Sequence, residues 1–186
     1  MIRPISGRHS NYRRRMTEIT DLIALFDDES TNFRIAVDGV TEEQARATPT
    51  VSALSIGGLL KHVTLTHEGW WKTITDADPN AEFDMAGAAH AYELTDDETF
   101  AGWAEKYDAQ YASTVAALKA TSDLDALIPL PTAPWAPERE YRSVRWIVLH
   151  MLRELAHHAG HADIIRETLD GQSTTMTHAR NAGMDV

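Results

Sequence analysis

Apolar residues recur three and four residues apart in four long segments of the chain, the spacing of an amphipathic helix. We find no segment with the convincing period-two alternation of a half-buried strand. The hydrophobic pattern therefore predicts four helices joined by polar or irregular connections. These helices are predicted to cover about 18–38, 56–75, 95–118 and 143–169.

Polar caps and a glycine mark the ends of the predicted helices. Ser55 and Ser143 precede the second and fourth helices, where a hydroxyl can accept hydrogen bonds from free N–H groups. The stretch Thr95–Glu98 has the spacing of a capping box and is predicted to open the third helix. A similar box at Thr41–Gln44 predicts a short helical turn. Gly171 is predicted to end the fourth helix.

Two irregular connections complete the predicted architecture. The stretch 76–94 has no clear period, and 121–142 holds four prolines that exclude a continuous helix. The first connection is long enough to run along a whole helix, since an extended residue covers about 3.3 Å and a helical one about 1.5 Å. We therefore predict an all-α four-helix bundle in 18–171, with a long crossover between the second and third helices. A flexible basic leader (1–17) and a polar C-terminal tail (172–186) are predicted to flank it.

Composition narrows the classes of protein that remain. A chain of 186 residues fits one domain, and its formal charge of −11 disfavours a nucleic-acid partner. No apolar run approaches the roughly 20 residues of a membrane helix, and the N-terminus lacks the apolar region of a signal peptide. The chain has no cysteine, which excludes disulfides, thiolate ligands and a cysteine nucleophile and fits a cytoplasmic location.

The fourth helix carries ionisable residues where its periodicity predicts core. One face begins at Ile147 and ends at Ile165, and polar residues occupy its middle. An unpaired buried charge is costly, whereas a metal ion bonds a carboxylate and neutral imidazoles directly. Glu154 and His158 lie one turn apart, so they can hold one ion together. The polar residues of this face are His150, Glu154, His158 and His161.

A third metal ligand must come from a facing helix, because two ligands are too few to hold an ion. His62 is the best candidate, since it lies in the middle of the second helix within an apolar stretch. His67 and His90 are weaker candidates. His67 points about 140° away from His62 on a regular helix, and His90 lies in the irregular connection.

Each assignment has a competing interpretation. Glu154 can pair with a neighbouring arginine at the surface instead of binding a metal. His157 can replace His158, because it is four residues from His161, but it lies off the polar face. The tryptophans of the helices are predicted to pack in the core: Trp70, Trp71, Trp103 and Trp146.

Two segments resemble a known superfamily. The sequences LSIGGLLKHVTLTHEGWW and SVRWIVLHMLRELAHHAGHADIIRETLDG are similar to the DinB/YfiT-like superfamily and, within it, to the mycothiol S-transferase-like branch of actinobacteria. The resemblance covers roughly 20–172. It implies a four-helix bundle that holds one metal through three side chains, and these fall here on His62, Glu154 and His158.

The resemblance also implies the cofactors. Zinc is the expected metal, with nickel, iron or manganese as alternatives, because a mixed nitrogen and oxygen site is less selective than three imidazoles. His161 is a fourth ligand, a group that orients a ligand, or a proton carrier. His150 matches a common upstream histidine of the family and is a second candidate for proton transfer. The implied co-substrate is a low-molecular-weight thiol, mycothiol.

The predicted function is a metal-dependent thiol S-transferase that acts on small electrophiles in detoxification or isomerisation. Three protein ligands leave an open position on a metal, as in catalytic sites, and a thiol bound there has a lowered pKa. The chain has no cysteine, so the sulfur must come from the thiol substrate. A hydrolase that uses metal-bound hydroxide and a non-catalytic metal-binding stress protein are the alternatives. The expected partners are small molecules, with neither nucleic acid nor membrane, and a homodimer is compatible with the sequence.

Overall fold

The computed structural model of the protein describes residues 17–185. Four long helices, α1, α3, α5 and α6, form the bundle that the hydrophobic pattern predicts. The leader predicted for 1–17 lies, except for Thr17, outside the described residues. The elements in chain order are α1 (Glu18–Val37), α2 (Glu42–Arg46), α3 (Ile56–Asp76), α4 (Met85–Ala88), α5 (Phe100–Ala120), β1 (Leu127–Pro129), β2 (Tyr141–Ser143), α6 (Val144–Asp170) and α7 (Thr174–Asn181).

The long helices surround one apolar core in the order α1, α6, α3, α5, so that each packs against two others. Large apolar side chains from all four helices are fully buried there, which accounts for most of the driving force for folding. Among the most buried are Phe26, Phe33, Leu59, Leu60, Leu118, Ile147, Met151 and Leu155.

The predicted crossover between α3 and α5 is confirmed by contacts at both ends of the two helices. Near the start of each helix, the Lys61 ammonium lies 5.5 Å from the ring centroid of Trp103. Near the other end, the indole N–H of Trp71 donates a 3.1 Å hydrogen bond to Thr114. The two helices are therefore parallel, and the connection must return along α3 before α5 begins.

Most predicted helix ends are confirmed. Ser55 accepts a hydrogen bond from the Gly58 N–H at 3.1 Å, and Ser143 accepts one from the Trp146 N–H at 3.2 Å. The box at Thr41–Gln44 forms with both of its reciprocal bonds. α6 ends at Gly171, whose φ of 78° is a backbone conformation that glycine adopts without strain.

The predicted start of the third helix is wrong by several residues. The Thr95 N–H does donate to the Glu98 carboxylate, at 2.9 Å, but the helix begins at Phe100 with Thr99 as its cap. The Thr95 hydroxyl donates to the Asp97 carboxylate, and the Glu98 N–H donates to the Thr95 carbonyl oxygen three residues back, as in a turn. Arg46 also binds the carbonyl oxygens of Thr95 and Glu98. The box forms a turn that precedes the helix.

Two further features differ from the sequence-based expectation. β1 and β2 pair as an antiparallel hairpin, with Leu127 opposite Ser143, in the proline-containing segment where no strand was predicted. Their three residues each are too few to show a period. The segment predicted as a polar tail contains α7, which packs against α1 and buries Ala179. A 2.8 Å hydrogen bond between His178 of α7 and Asn32 of α1 joins the two helices.

None of the helices within residues 17–185 combines the length and the hydrophobicity that crossing a bilayer requires.

Candidate metal centre

His62, Glu154 and His158 lie together where α3 packs against α6. His62 is in the middle of α3, on a helix whose neighbouring residues 59 and 63 are fully buried. Glu154 and His158 project from successive turns of α6. One ligand atom from each of the three side chains lies within 4.8 Å of the other two. The fold thus brings together the three side chains that the sequence singled out, and their metal binding stays a prediction.

The three side chains converge through particular atoms. The Glu154 Oε2 atom lies 3.6 Å from the Nε2 atom of His158 and 3.9 Å from the Nε2 atom of His62. Ligands of a tetrahedral zinc ion, with bonds of about 2.0–2.1 Å, are separated by about 3.4 Å. Both distances are slightly longer than that spacing. Two imidazole nitrogens and one carboxylate oxygen are also a suitable donor set for zinc and other divalent transition metals.

The protonation states of the cluster suit a metal. Burial, together with a smaller contribution from the nearby His62, lowers the pKa of His158 to about 4. Burial also lowers the pKa of His62, against the opposing effect of Glu154. Burial alone would raise the pKa of Glu154, but the hydrogen bond from Arg153 and the neighbouring histidines outweigh it and hold that pKa below its usual value. At neutral pH the site therefore offers neutral imidazoles and a carboxylate, which are the forms that bind a metal.

His161 lies beside the cluster rather than in it. Its Nδ1 atom is 3.3 Å from the Nδ1 atom of His158, on the side of that ring away from Glu154. His161 is outside the group of mutually close ligand atoms. This position suits a side chain that fixes the orientation of His158. The rival residue His157 is exposed, and its ring centroid lies 4.4 Å from that of His161 and not within the cluster.

His150 lies on the other side of Glu154, one turn earlier on α6. Its Nε2 atom is 3.8 Å from Glu154 Oε1, and burial lowers its pKa. Two tryptophans enclose the ring. Trp146 stacks on it at a centroid distance of 5.2 Å, and Trp70 meets it edge-on at 4.9 Å. Trp146 is 39% exposed and Trp70 is half-buried, so these two line the edge of the site and are not fully buried core residues as predicted.

The two weaker histidine candidates lie apart from the cluster. His67 is 2% exposed, packs edge-on against Phe26 and makes a 3.3 Å hydrogen bond to the Met151 carbonyl oxygen. It is a core histidine. His90 lies in the connection after α4 and pairs with Glu93. Neither residue belongs to the group that could share an ion.

Tyr92 is the site residue that the sequence did not reveal. Its ring stacks on His62 with a centroid distance of 3.9 Å and an interplanar angle of 16°. Its hydroxyl oxygen lies 2.9 Å from the His62 Nε2 atom, the nitrogen that faces Glu154. The residue comes from the connection between α3 and α5, whose sequence shows no periodicity, and only the path of that connection brings it here.

The fold and the cluster define the class of protein: a DinB-like four-helix bundle with a candidate metal site between two of its helices. The family model described as Mycothiol-S-transferase matches residues 21–171, and the chain belongs to that family. The resemblance found in the sequence of the second and last helices is thereby confirmed. A comparison with proteins of curated function finds no match.

Two solved structures share the fold at low sequence identity. One is described as YfiT from Bacillus subtilis, "a probable metal-dependent hydrolase with an unusual four-helix bundle topology". It has a TM-score of 0.60 and 13% identity, and the match covers 97% of this chain and 94% of that one. The other is a conserved protein from Enterococcus faecalis, with a TM-score of 0.58 and 15% identity, over 84% of this chain and 99% of that one. At these identities the likeness establishes the fold alone.

Proposed function

We propose that the protein is a metal-dependent thiol S-transferase that uses mycothiol as its sulfur donor. The observation that carries the proposal is the cluster of His62, Glu154 and His158 inside a member of the mycothiol S-transferase family. Three protein ligands are typical of catalytic metal sites, because they leave a position for a substrate. A bundle with a core of this size does not need a metal to fold, which also favours a chemical role.

The three clustered side chains would hold the metal, zinc by preference, with nickel, iron or manganese as alternatives. Bound there, the metal supplies Lewis acidity that lowers the pKa of an incoming thiol. The chain contains no cysteine, so the reacting sulfur belongs to the thiol substrate. The thiolate sulfur would then form a bond to carbon on a small electrophile. Either a leaving group departs with the electron pair of the bond that breaks, or a double bond opens and the neighbouring atom takes up its electron pair and then a proton.

We assign to His150 the role of accepting the proton that the thiol loses when it binds the metal. The lowered pKa of His150 keeps the imidazole neutral at pH 7. The Arg153 guanidinium donates to the His150 Nδ1 atom at 2.8 Å and must release that nitrogen before it accepts a proton. His150 also lies next to Glu154 at the edge of the cluster, where Trp146 is partly exposed. His161 contacts His158 through the nitrogen that faces away from Glu154, which supports an orienting role for it over direct ligation.

The same proposal places the enzyme in the cytoplasm, where small thiols are kept reduced. Its partners would be mycothiol and a small electrophile, in a reaction of the detoxification or isomerisation type. The partly exposed tryptophans beside His150 offer an apolar surface next to the cluster for part of the electrophile.

A metal-dependent hydrolase is the second candidate, favoured by the shared fold with the protein described as a probable metal-dependent hydrolase. In that case water, not a thiol, would be the nucleophile. A non-catalytic metal-binding protein is the third.

One assay distinguishes the three candidate functions. The zinc-loaded protein is incubated with a panel of small electrophiles and ester substrates, with and without mycothiol. The transferase predicts turnover only when mycothiol is added, and the hydrolase predicts turnover without it. Absence of turnover in every combination, with metal bound, favours the non-catalytic protein.

A further inference from the structure

We propose that Tyr92 is a positioning residue of the candidate metal site, whose stacked ring holds the His62 imidazole in the orientation that a metal requires. This inference rests on the proposed function, because it assumes that His62 binds a metal.

Tyr92 contacts His62 in two ways, through its ring and through its hydroxyl. The rings are nearly parallel and 3.9 Å apart at their centroids, which restrains the imidazole on one face. The hydroxyl oxygen lies 2.9 Å from Nε2, a normal hydrogen-bond distance. A longer contact, 3.4 Å, joins the same nitrogen to the Thr66 hydroxyl. Nε2 is also the nitrogen closest to Glu154, so the hydroxyl sits at the atom that would bind the metal.

The backbone of Tyr92 is fixed against α3 by a close approach that only glycine permits. A Cβ atom added to Gly58 would lie 1.9 Å from the Tyr92 carbonyl oxygen and 2.6 Å from its carbonyl carbon. Any side chain at position 58 would therefore push the chain at Tyr92 away from the helix. Gly58 lies one turn before His62, which places the tyrosine ring over the imidazole.

Two buried or half-buried cations hold the residues that follow Tyr92. The Lys61 ammonium, 7% exposed, donates to the Glu93 carbonyl oxygen at 3.1 Å and pairs with Glu98 at 2.7 Å. The guanidinium of Arg46 donates to the Leu94 carbonyl oxygen at 2.9 Å and to that of Glu98 at 2.6 Å. These contacts tie the end of the connection to α2 and α3, so the tyrosine is held in place by bonds that do not involve the site itself.

The stacked arrangement leaves the His62 nitrogen accessible to a metal. The lone pair of Nε2 lies in the imidazole plane, whereas the hydroxyl of a nearly parallel ring lies above that plane. Removing the hydroxyl should therefore change metal affinity little. Removing the whole ring should weaken metal binding, because it frees the imidazole.

The test measures zinc affinity by competition with a chromogenic chelator, using the full-length protein. The variants are Tyr92→Phe, which keeps the ring, Tyr92→Ala, which removes it, and Tyr141→Phe, a control at an exposed tyrosine on β2. Circular dichroism checks that each variant is folded. We expect Tyr92→Ala to bind zinc about 10- to 100-fold less tightly than wild type. Tyr92→Phe and Tyr141→Phe should match wild type within about twofold.

The opposite results overturn the inference in distinguishable ways. Equal affinities for wild type and Tyr92→Ala show that the ring does not restrain His62. A loss in Tyr92→Phe as large as the loss in Tyr92→Ala shows that the hydroxyl, and not the ring, acts on the site. If wild type itself binds no zinc, the proposed function fails and takes this inference with it.

Discussion

The Nδ1 atoms of His158 and His161 lie 3.3 Å apart across one turn of α6. At that distance one of the two nitrogens carries a hydrogen and the other accepts it. If His158 binds the metal through Nε2, its Nδ1–H is free to donate to His161. This fixes the tautomer and the orientation of the ligand ring, as partners of metal-bound histidines commonly do.

His161→Ala should therefore lower metal affinity without abolishing binding. Loss of such an orienting partner typically costs about 10- to 100-fold in affinity. His158→Ala should remove tight binding altogether, since it deletes a ligand. His157→Ala is the matched control on the exposed side of the same turn and should have little effect. Zinc titration calorimetry measures all three. If His161→Ala loses the metal as completely as His158→Ala, His161 is a ligand.

Glu154→Gln should weaken metal binding but leave the helical content unchanged. The amide oxygen keeps the shape of the carboxylate but not its charge, which makes it a poorer ligand for a divalent cation. Glu167→Gln is the control, because Glu167 is an exposed glutamate on the same helix outside the cluster. Zinc affinities of both variants would be compared with wild type. Equal affinity in Glu154→Gln would mean that the carboxylate serves only to pair with Arg153, which lies 3.0 Å away.

Substituting two glycines of α3 should have opposite effects on stability. Gly58→Ala places a Cβ atom against the Tyr92 backbone and should lower the free energy of unfolding by about 1–3 kcal/mol. Gly69→Ala meets nothing within 4 Å and should raise it by about 0.5–1 kcal/mol, because alanine favours a helix. Urea denaturation gives both values. Equal effects at the two positions would show that the Tyr92 backbone is not held against the helix.

Burial of His67 should make the protein less stable as the pH falls. Burial lowers its pKa to about 4 in the native state, although the hydrogen bond to Met151 opposes this shift. Between about pH 6.5 and pH 4 the unfolded chain therefore binds a proton that the native state does not. The free energy of unfolding should fall with pH by up to about 1.4 kcal/mol per pH unit from this residue alone, an effect absent above pH 7.

His67→Gln tests that pH dependence. The amide can still donate to the Met151 carbonyl oxygen but does not titrate. Denaturation at several pH values from 4.5 to 8 should show a shallower slope in the variant below pH 6.5, with no difference in slope above pH 7. The same slope in both proteins would show that His67 is not the source of the acid sensitivity.

The bundle was predictable because its signals are local. Ser143 and Gly171 mark the ends of α6 through chemistry that acts within a few residues, and both are used as the sequence suggests. The polar face of the same helix was visible because Glu154 and His158 interrupt an otherwise apolar period. His62 could be paired with them because it is an ionisable residue in an apolar stretch of another helix.

The parts that could not be predicted depend on contacts between distant residues. Tyr92 reaches the site because Gly58 and Lys61 on α3 hold the connection in place, and neither contact leaves a periodic pattern in the sequence. The turn before α5 is also bound by Arg46, about 50 residues earlier, which donates to the carbonyl oxygens of Thr95 and Glu98. Capping rules describe only neighbouring residues, so they do not include such a contact.

The most direct test of the proposed function is calorimetric titration of mycothiol into the zinc-loaded protein, the metal-free protein and zinc-treated His158→Ala. A thiol must lose its proton to bind a metal, so thiol binding should depend on the metal and release protons. We expect saturable binding to the zinc-loaded wild type, with heats that vary with the buffer's ionisation enthalpy, and much weaker binding to the other two. Equal binding to all three, or no binding to the zinc-loaded protein, would contradict a metal-dependent thiol S-transferase.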